Sequence, residues 1–343
     1  MGAPFHFRPI PPGSFPYGPG VFLPALQGLS RNAAGLTRGH GLREDAGQIR
    51  NSALTGAGEA SISIALGANP AAGFWEGHPA ALVIAHPGHE LRVHHWLERA
   101  RPLVLVLTDG SGHTGRSRLA STTEVLARTG AVPGPVYGRL SDRDLYRALL
   151  AGDVELFSGL ADEIAGVLAD AGIAYVAGDA VEGFNPGHDV CRLLLNAALL
   201  RLGEERGRSP GNFEFPLDGA PQECPLEDRA EAIVLSLDEE ALGRKLAAAQ
   251  AYAEMAGEVS KALGRHGREP FRVECLRPVR YGLDIGHRFA HPPYYESYGE
   301  RQVAAGVYRE VLRFREHLAP LAERLERLGA RAPRGSLVAC ESC

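Results

Sequence analysis

The stretch Ala81-Leu-Val-Ile-Ala-His-Pro-Gly-His-Glu90 determines how the rest of the chain can be interpreted. Its first five residues form an apolar run that predicts a buried β-strand. The run stops at His86-Pro87-Gly88, and an amphipathic stretch follows from Glu90. A strand that carries two histidines into the loop before a helix is expected at the carboxyl edge of an open α/β sheet, where ligands bind.

A third histidine lies in a similar setting later in the chain, within Asn185-Pro-Gly-His188-Asp189. Imidazole is a good zinc ligand, and three protein ligands with one open position are typical of catalytic zinc. Gly88 between the first two histidines permits the unusual backbone angles of a tight turn. We therefore predict that one zinc ion per chain is held by His86, His89 and His188. The alternative is three loop histidines whose hydrogen bonds are satisfied within the protein.

Predicted strands and helices alternate after residue 80, which is typical of a parallel sheet covered by helices on both faces. The predicted strands are residues 82–85, 103–108, 136–140, 173–177, 230–235 and 271–280. The predicted helices are residues 91–99, 118–129, 156–171, 190–202, 237–263 and 302–328, with one more beginning at Ser141 and a loop at 203–229. The predicted fold class is thus α/β, with a three-layer, Rossmann-like and mostly parallel sheet.

Composition divides the chain into three parts. Residues 1–75 are rich in Gly, Pro, Ala and Ser with little periodicity, which predicts an irregular N-terminal extension. Residues 76–330 are predicted to form the α/β domain with a C-terminal helical portion, and residues 331–343 a tail. The tail carries Cys340 and Cys343, but the other three cysteines supply no second Cys-x-x-Cys pair for a four-cysteine zinc site.

Overall composition excludes several classes of function. The chain has 343 residues, of which 45% are hydrophobic, so it can bury a sizeable core. A net charge of −5 gives no reason to expect a nucleic-acid partner. No apolar run approaches the length of a membrane span, and the N-terminal residues do not resemble a secretory signal. We therefore expect a cytoplasmic protein that is not membrane-spanning.

The loop Gly110-Ser-Gly-His-Thr-Gly115 matches the letters of the dinucleotide-binding pattern Gly-x-Gly-x-x-Gly. That pattern requires an acidic residue further on to hold a ribose, and residues 130–140 contain no Asp or Glu. We therefore interpret the loop as a flexible surface loop beside the metal, rather than as a nucleotide site. The alternative is that it binds a sugar hydroxyl or a phosphate there.

Two motifs resemble those of the PIG-L/LmbE-type N-acetylglucosaminyl deacetylase superfamily. Ala85-His-Pro-Gly-His-Glu90 resembles that family's Ala-His-Pro-Asp-Asp-Glu signature, and Glu182-Gly-Phe-Asn-Pro-Gly-His-Asp189 resembles its second signature. Thr108-Asp109-Gly110 is similar to the family's Thr-x-Gly turn. The resemblance covers residues 78–200 in order and spacing, and it extends more weakly to residues 292–296.

The resemblance implies an activity and a site. It implies hydrolysis of an N-acyl group on an amino sugar or glycoconjugate, with zinc held by His86, His89 and His188. The second of these stands where the family has an aspartate. The resemblance also implies that Arg118 lies on the substrate side. The aromatic cluster around Tyr295 offers stacking surface and hydroxyls for a sugar. Such a cluster is equally typical of an interface that packs the C-terminal helix against the domain.

This chain departs from the family pattern at two positions that matter for proton transfer. Gly88 stands where the family has its general base, and Asn185 where it has its transition-state histidine. An amide can donate a hydrogen bond to an oxyanion but cannot act as an acid. The candidate replacements for the base are Glu90, Asp109, Glu182 and Asp189. Asp109 and Asp189 can alternatively orient a histidine, and Glu90 can be an acidic residue of a first helical turn.

The sequence therefore predicts a zinc-dependent N-acyl hydrolase in which Asn185 steadies the oxyanion and Glu90, Asp109 or Glu182 is the base. Two alternatives remain. The first is a catalytically degenerate relative that acts as a ligand-binding or regulatory module, which the loss of proton-transfer groups at Gly88 and Asn185 favours. The second is a hydrolase of esters or other amides, for which a weaker base suffices.

Overall fold

The computed structural model of the chain describes residues 75–329, apart from residues 113, 208 and 221. Almost all of the predicted N-terminal extension lies outside these described residues, as do the tail with its two cysteines and His113. Trp75 is described, and its ring is buried in the core against one face of the sheet. The body of the fold therefore includes at least this residue of the predicted extension.

The described residues form seven strands and nine α-helices. The strands are β1 Ala80–Ile84, β2 Leu103–Thr108, β3 Val132–Leu140, β4 Tyr175–Asp179, β5 Gly211–Phe215, β6 Ile233–Ser236 and β7 Val273–Pro278. The helices are α1 His94–Ala100, α2 Leu119–Thr129, α3 Asp142–Ala151, α4 Val154–Asp170, α5 Pro186–Arg206, α6 Glu239–Ala251, α7 Ala256–His266, α8 Tyr294–Ala304 and α9 Ala319–Gly329. A 3-10 helix, His89–Val93, precedes α1.

The strands form one sheet in the order β3-β2-β1-β4-β5-β7-β6. The first five are parallel to one another, whereas β7 runs antiparallel to both β5 and β6. This arrangement confirms the prediction of a mostly parallel α/β sheet. The chain order reverses between β1 and β4, and such a switch point opens a crevice at the carboxyl ends of the two strands.

The sheet is buried on both faces because β1 is apolar at every position, and β2 and β4 lack polar side chains except at their last residues, Thr108 and Asp179, apart from the Tyr175 hydroxyl. Successive side chains of a strand point to opposite faces. In β1, Ala81 and Val83 pack into a core shared with α4, α5 and α9, while Leu82 and Ile84 pack with α1, α2 and α6 on the other face. Helices thus cover both faces, as the alternating pattern predicts.

One strand was not predicted from the sequence. Residues 203–229 were expected to be loop, yet β5 lies within them and pairs with β4 and β7. Its residues Phe213 and Phe215 are buried, but they alternate with polar ones, so no apolar run marks the strand. Glu214 is also buried, and its carboxylate lies 3.0 Å from Arg277 of β7. Pairing of these charges lets a glutamate occupy a sheet interior.

Two helices predicted as continuous are interrupted. The prediction for residues 237–263 is split by a 3-10 helix, Ala253–Met255, between α6 and α7. The break follows Tyr252, whose ring is buried and whose hydroxyl lies 2.9 Å from Thr122 Oγ1. The prediction for residues 302–328 fails similarly, because α8 ends at Ala304 and α9 follows a short π-helix, Phe314–Leu318. Among the described residues, no helix is both long enough and apolar enough to cross a bilayer.

Candidate metal centre

Three histidines meet at the carboxyl ends of β1 and β4. His86 follows β1, His89 begins the 3-10 helix, and His188 lies in the first turn of α5 rather than in a loop. The ring centroids are 5.3 Å apart for His86 and His89, 5.2 Å for His86 and His188, and 4.6 Å for His89 and His188. All three side chains are buried. The switch point therefore brings together side chains that are distant in sequence.

Glycines and a helix cap make this close approach possible. Asn185 caps α5, because its Oδ1 accepts a hydrogen bond from the backbone N of Gly187 at 2.8 Å, and Pro186 occupies the first helical position. A Cβ at Gly187 would lie 2.9 Å from His86 Nε2. The absence of a side chain at Gly187 is therefore what lets the start of α5 reach the histidine that follows β1.

Two buried carboxylates orient two of the rings. His86 Nδ1 lies 2.9 Å from Asp142 Oδ1 and 2.8 Å from Thr108 Oγ1. His89 Nδ1 lies 3.0 Å from both oxygens of Asp179. A carboxylate can only accept, so Nδ1 of each ring donates and Nε2 keeps its lone pair. Contacts of this kind are typical of metal-binding histidines.

The charge states of the groups suit metal binding. Burial lowers the pKa of His89, although Asp179 opposes the shift, and burial lowers the pKa of His188 well below its usual value. Burial alone would raise the pKa of Asp142, but His86 and Thr108 hold it below its usual range. His89 and His188 are thus neutral near pH 7, which is the form that binds a metal.

Three buried ring nitrogens of the cluster lack a hydrogen-bond partner among the described residues. These atoms are His86 Nε2 and both ring nitrogens of His188. A buried polar atom without a hydrogen bond costs about 1–3 kcal/mol. A cation held between the three rings would satisfy His86 Nε2 and one ring nitrogen of His188, which a set of ordinary hydrogen-bonded loop histidines would not require.

The distances between the ring centroids fit one ion shared by the three histidines. With Zn–N bonds of about 2.0–2.1 Å in a tetrahedral site, ring centroids should be about 5 Å apart, close to the observed separations. As they stand, however, no three or more His, Cys, Asp or Glu side chains among the described residues have the geometry of a metal site.

A cavity of about 620 Å³ opens over the three histidines. Besides the three histidines, two other residues predicted from the sequence line it, Arg118 and Asn185. Arg118 Nε donates to the backbone oxygen of Gly110 at 2.6 Å, which fixes the guanidinium at the cavity wall. Since Asn185 Oδ1 is taken by the helix cap, its amide nitrogen is the atom that can donate into the cavity.

The three carboxylates predicted as candidate bases have other contacts and do not line the cavity. Glu90 accepts from Gly88 N and Thr122 Oγ1, and burial raises its pKa to about 7. Glu182 accepts from the backbone of Leu217 and Asp218, and burial raises its pKa to about 8. Asp109 accepts from Ser111 N at 2.9 Å in a local turn.

Asp189 and Tyr295 lie behind the cavity wall. Asp189 Oδ1 accepts from the backbone of Glu182 and Gly183, and burial raises the pKa of this carboxyl to about 7. Tyr295 is 2% exposed within the core and does not line the cavity. Its neighbour Tyr294 is exposed and stacks on Phe184, which does line the cavity, with centroids 5.2 Å apart.

Several residues of the site were missed from the sequence. Asp142 and Asp179, rather than Asp109 and Asp189, contact the histidines. Asp179 ends an apolar strand, which was a visible signal, but Asp142 looked only like an acidic residue in the first turn of a helix. Four more residues line the cavity without any local signal in the sequence, namely Leu217, Asp218, Met255 and Glu258.

Met255 occupies the space beside Gly88. Gly88 has φ +104°, and a Cβ built there would lie 2.0 Å from Met255 Sδ. The space that a side chain at position 88 would take is therefore filled by a methionine that is distant in sequence.

Comparison with known proteins gives only distant likenesses. No protein-family model and no curated protein matches the chain. The solved structure of the A40926 pseudoaglycone deacetylase Dbv21 is 19% identical, with TM-score 0.42 over 60% of this chain and 98% of that chain. A triple mutant of a deacetylase from the teicoplanin biosynthetic pathway is 13% identical, with TM-score 0.40 over 58% and 97%. The zinc-inhibited form of teicoplanin deacetylase Orf2 is 13% identical, with TM-score 0.36 over 59% and 99%.

Proposed function

We propose that this protein is a zinc-dependent hydrolase that removes an N-acyl group from an amino sugar or glycoconjugate. The observation that carries the proposal is the set of three buried imidazoles over one cavity, two of them held through Nδ1 by Asp142 and Asp179. His86, His89 and His188 would hold the ion. When bound, zinc supplies Lewis-acid chemistry, which polarises an amide carbonyl and makes water a better nucleophile near neutral pH.

Two further residues of the cavity serve the reaction. Asn185 donates a hydrogen bond through its amide nitrogen to the oxygen that gains negative charge during attack on the amide. Arg118 binds polar groups of the substrate. The hydrogen bond from its Nε to Gly110 O holds the guanidinium away from the histidines. Stacking of Phe184 on Tyr294 provides an aromatic surface against which a sugar ring can lie.

The base is drawn from the carboxylates that line the cavity. Asp142 is tied to His86, Thr108 and the backbone of Gly112. Asp218 and Glu258 remain, and they are the candidates for accepting a proton from water. Loss of general-base help lowers kcat by about 10²–10⁴-fold. A fall of this size in either Asp218→Asn or Glu258→Gln, with zinc content unchanged, would identify the base.

The first test compares metal content and hydrolysis of N-acetylglucosamine in three purified proteins. We expect about one zinc per chain in the wild type and none in His188→Ala, with hydrolysis lost alongside the metal. His95→Ala is the matched control, because His95 contacts Glu98 and does not line the cavity. Retained hydrolysis in His188→Ala without bound metal would defeat the proposal.

A second candidate function is ligand binding without turnover, and the Gly88–Met255 contact favours it. Gly88→Asp alone collides with Met255, so the informative variant combines Gly88→Asp with Met255→Ala. A protein without catalytic activity would gain hydrolysis from the restored carboxylate. An enzyme whose base lies at Asp218 or Glu258 would gain little.

A further inference from the structure

A second opening lies on the other side of Met255 from the histidines. It has a volume of about 520 Å³ and is bounded by the 3-10 helix His89–Val93, by α6 and by α7. We call this opening the apolar groove. Its walls are mainly aliphatic and aromatic, formed by Leu91, Leu246, Ala249, Val259, Ala262 and Phe271. Such walls favour an occupant that buries hydrocarbon rather than polar groups.

Two cationic side chains also border the groove, but their charges are used elsewhere. Lys245 Nζ donates to Glu274 Oε1 and to the backbone oxygen of Arg92, both at 2.8 Å. The Arg92 guanidinium donates to the backbone oxygens of Pro216 and Leu217 at 3.1 and 2.8 Å. These residues therefore present their aliphatic stems to the groove, and an anionic occupant would find no unused cation there.

The groove adjoins the cavity over the histidines. Met255 and Glu258 line both spaces, and Gly88 lines the groove while its neighbour His89 lines the cavity. Only the Met255 side chain separates them at Gly88. Methionine is unbranched and adapts its conformation easily, so a rotation of Met255 joins the two spaces. A side chain at Gly88 would close this path.

Helix α7 covers the groove without packing tightly against the body. None of its residues is buried, although Val259, Ala262 and Leu263 border the groove. An amphipathic helix normally buries its apolar face against the core. The half-buried face of α7 leaves room for an aliphatic chain between this helix and α6.

We propose that the apolar groove holds the aliphatic chain of the substrate's acyl group, so that the enzyme prefers N-acyl groups longer than acetyl. The inference rests on the proposed hydrolase function. It assigns a role to Gly88: the missing side chain opens the route from the reacting carbonyl to the groove. Met255 is the residue that the acyl chain displaces.

The test is a chain-length series of N-acyl glucosamines carrying acetyl, butanoyl, hexanoyl and octanoyl groups. Burial of each methylene should raise kcat/KM by roughly two- to fourfold. Fluorescence of a dansyl-labelled undecanoic acid measures occupation of the groove separately from turnover. We expect this probe to bind the wild-type protein and to be displaced by octanoyl glucosamine.

Two variants fill the groove from opposite walls, Ala262→Trp on α7 and Ala249→Phe on α6. Each should lower the octanoyl-to-acetyl ratio of kcat/KM by at least about tenfold and should weaken binding of the probe. Ser260→Trp is the matched control, because Ser260 is on the exposed side of α7 and does not border the groove. The ratio should be unchanged in this control.

The outcomes separate this inference from the proposed function. If acetyl is the best substrate and the probe does not bind, the inference is overturned while the hydrolase stands. If the probe binds but no amide of any length is hydrolysed, the hydrolase is overturned and the groove remains a site for an aliphatic chain. An unchanged octanoyl-to-acetyl ratio in both folded groove variants would also overturn the inference.

Discussion

At the scale of single residues, Asp179 should matter for metal affinity. Its carboxylate contacts His89 Nδ1 and also accepts from Ala85 N. Asp179→Asn keeps the size of the side chain but weakens its hold on the ring, so zinc affinity should fall by about 10–100-fold. Competition with a chelator measures this. Asp109→Asn is the control, and an equal loss of affinity there would contradict the role given to Asp179.

Gly187 tests whether the approach of α5 is needed. The Cβ of Gly187→Ala would meet His86 Nε2, so we expect reduced zinc content by elemental analysis. The effect should not come from the helix itself, because alanine favours helix over glycine by about 1 kcal/mol. Gly166→Ala in α4, where a Cβ meets nothing within 4 Å, is the matched control. Full zinc content in Gly187→Ala would show that the close approach is unnecessary.

Variants can separate the helix cap formed by Asn185 from its proposed role as an oxyanion donor. Asn185→Ser keeps a good N-cap but removes the amide donor, so kcat should fall by about 10²–10³-fold with little change in stability. Asn185→Ala loses both roles, and its free energy of unfolding should also fall by about 0.5–2 kcal/mol. Steady-state kinetics and urea unfolding measure the two effects. Unchanged kcat in Asn185→Ser would exclude the oxyanion role.

At the scale of elements, Glu182 ties the end of β4 to the chain after β5. Burial raises its pKa to about 8, while Arg92 opposes and Asp218 adds to the shift. Because the carboxyl ionises at lower pH when unfolded, its contribution to stability is present below about pH 4.5 and is lost as pH rises through about 8. Glu182→Gln should lose less stability over this range.

Urea unfolding at about pH 5 and about pH 8.5 measures the difference. The wild type should lose stability between the two, relative to Glu182→Gln. Equal pH dependence in the two proteins would mean that Glu182 is already ionised in the folded state.

The strands differ in how well the sequence predicts them. β1 and β2 were predicted because continuous apolar runs mark strands that are buried on both faces. β5 carried no such run, because Glu214 lies in its interior. The charge of this residue is neutralised by Arg277 from β7. The contacts of Asp142 and Asp179 with histidines depend on which strands lie side by side, and spacing along the chain does not encode that. Met255, which lies beside Gly88, belongs to the short 3-10 helix that follows the break after Tyr252.

At the scale of the whole molecule, sheet order explains where the site forms. β1 lies between β2 and β4, so the segments after these three strands meet at one edge. They supply His86 and His89 after β1, Thr108 at the end of β2, and Asp179 with His188 after β4. The placement of the histidines after β1 and β4 could be predicted from these strands alone. The groove beyond Gly88 could not, because its walls come from α6 and α7.

The central claim is that hydrolysis depends on zinc held by these three histidines. Its most direct test strips the protein with a chelator and titrates zinc back while hydrolysis of an N-acyl glucosamine is followed. We predict that the stripped protein is inactive and that activity rises with added zinc until about one ion per chain is bound. Undiminished hydrolysis by the stripped protein, or no zinc uptake by the three-histidine cluster, would contradict the claim.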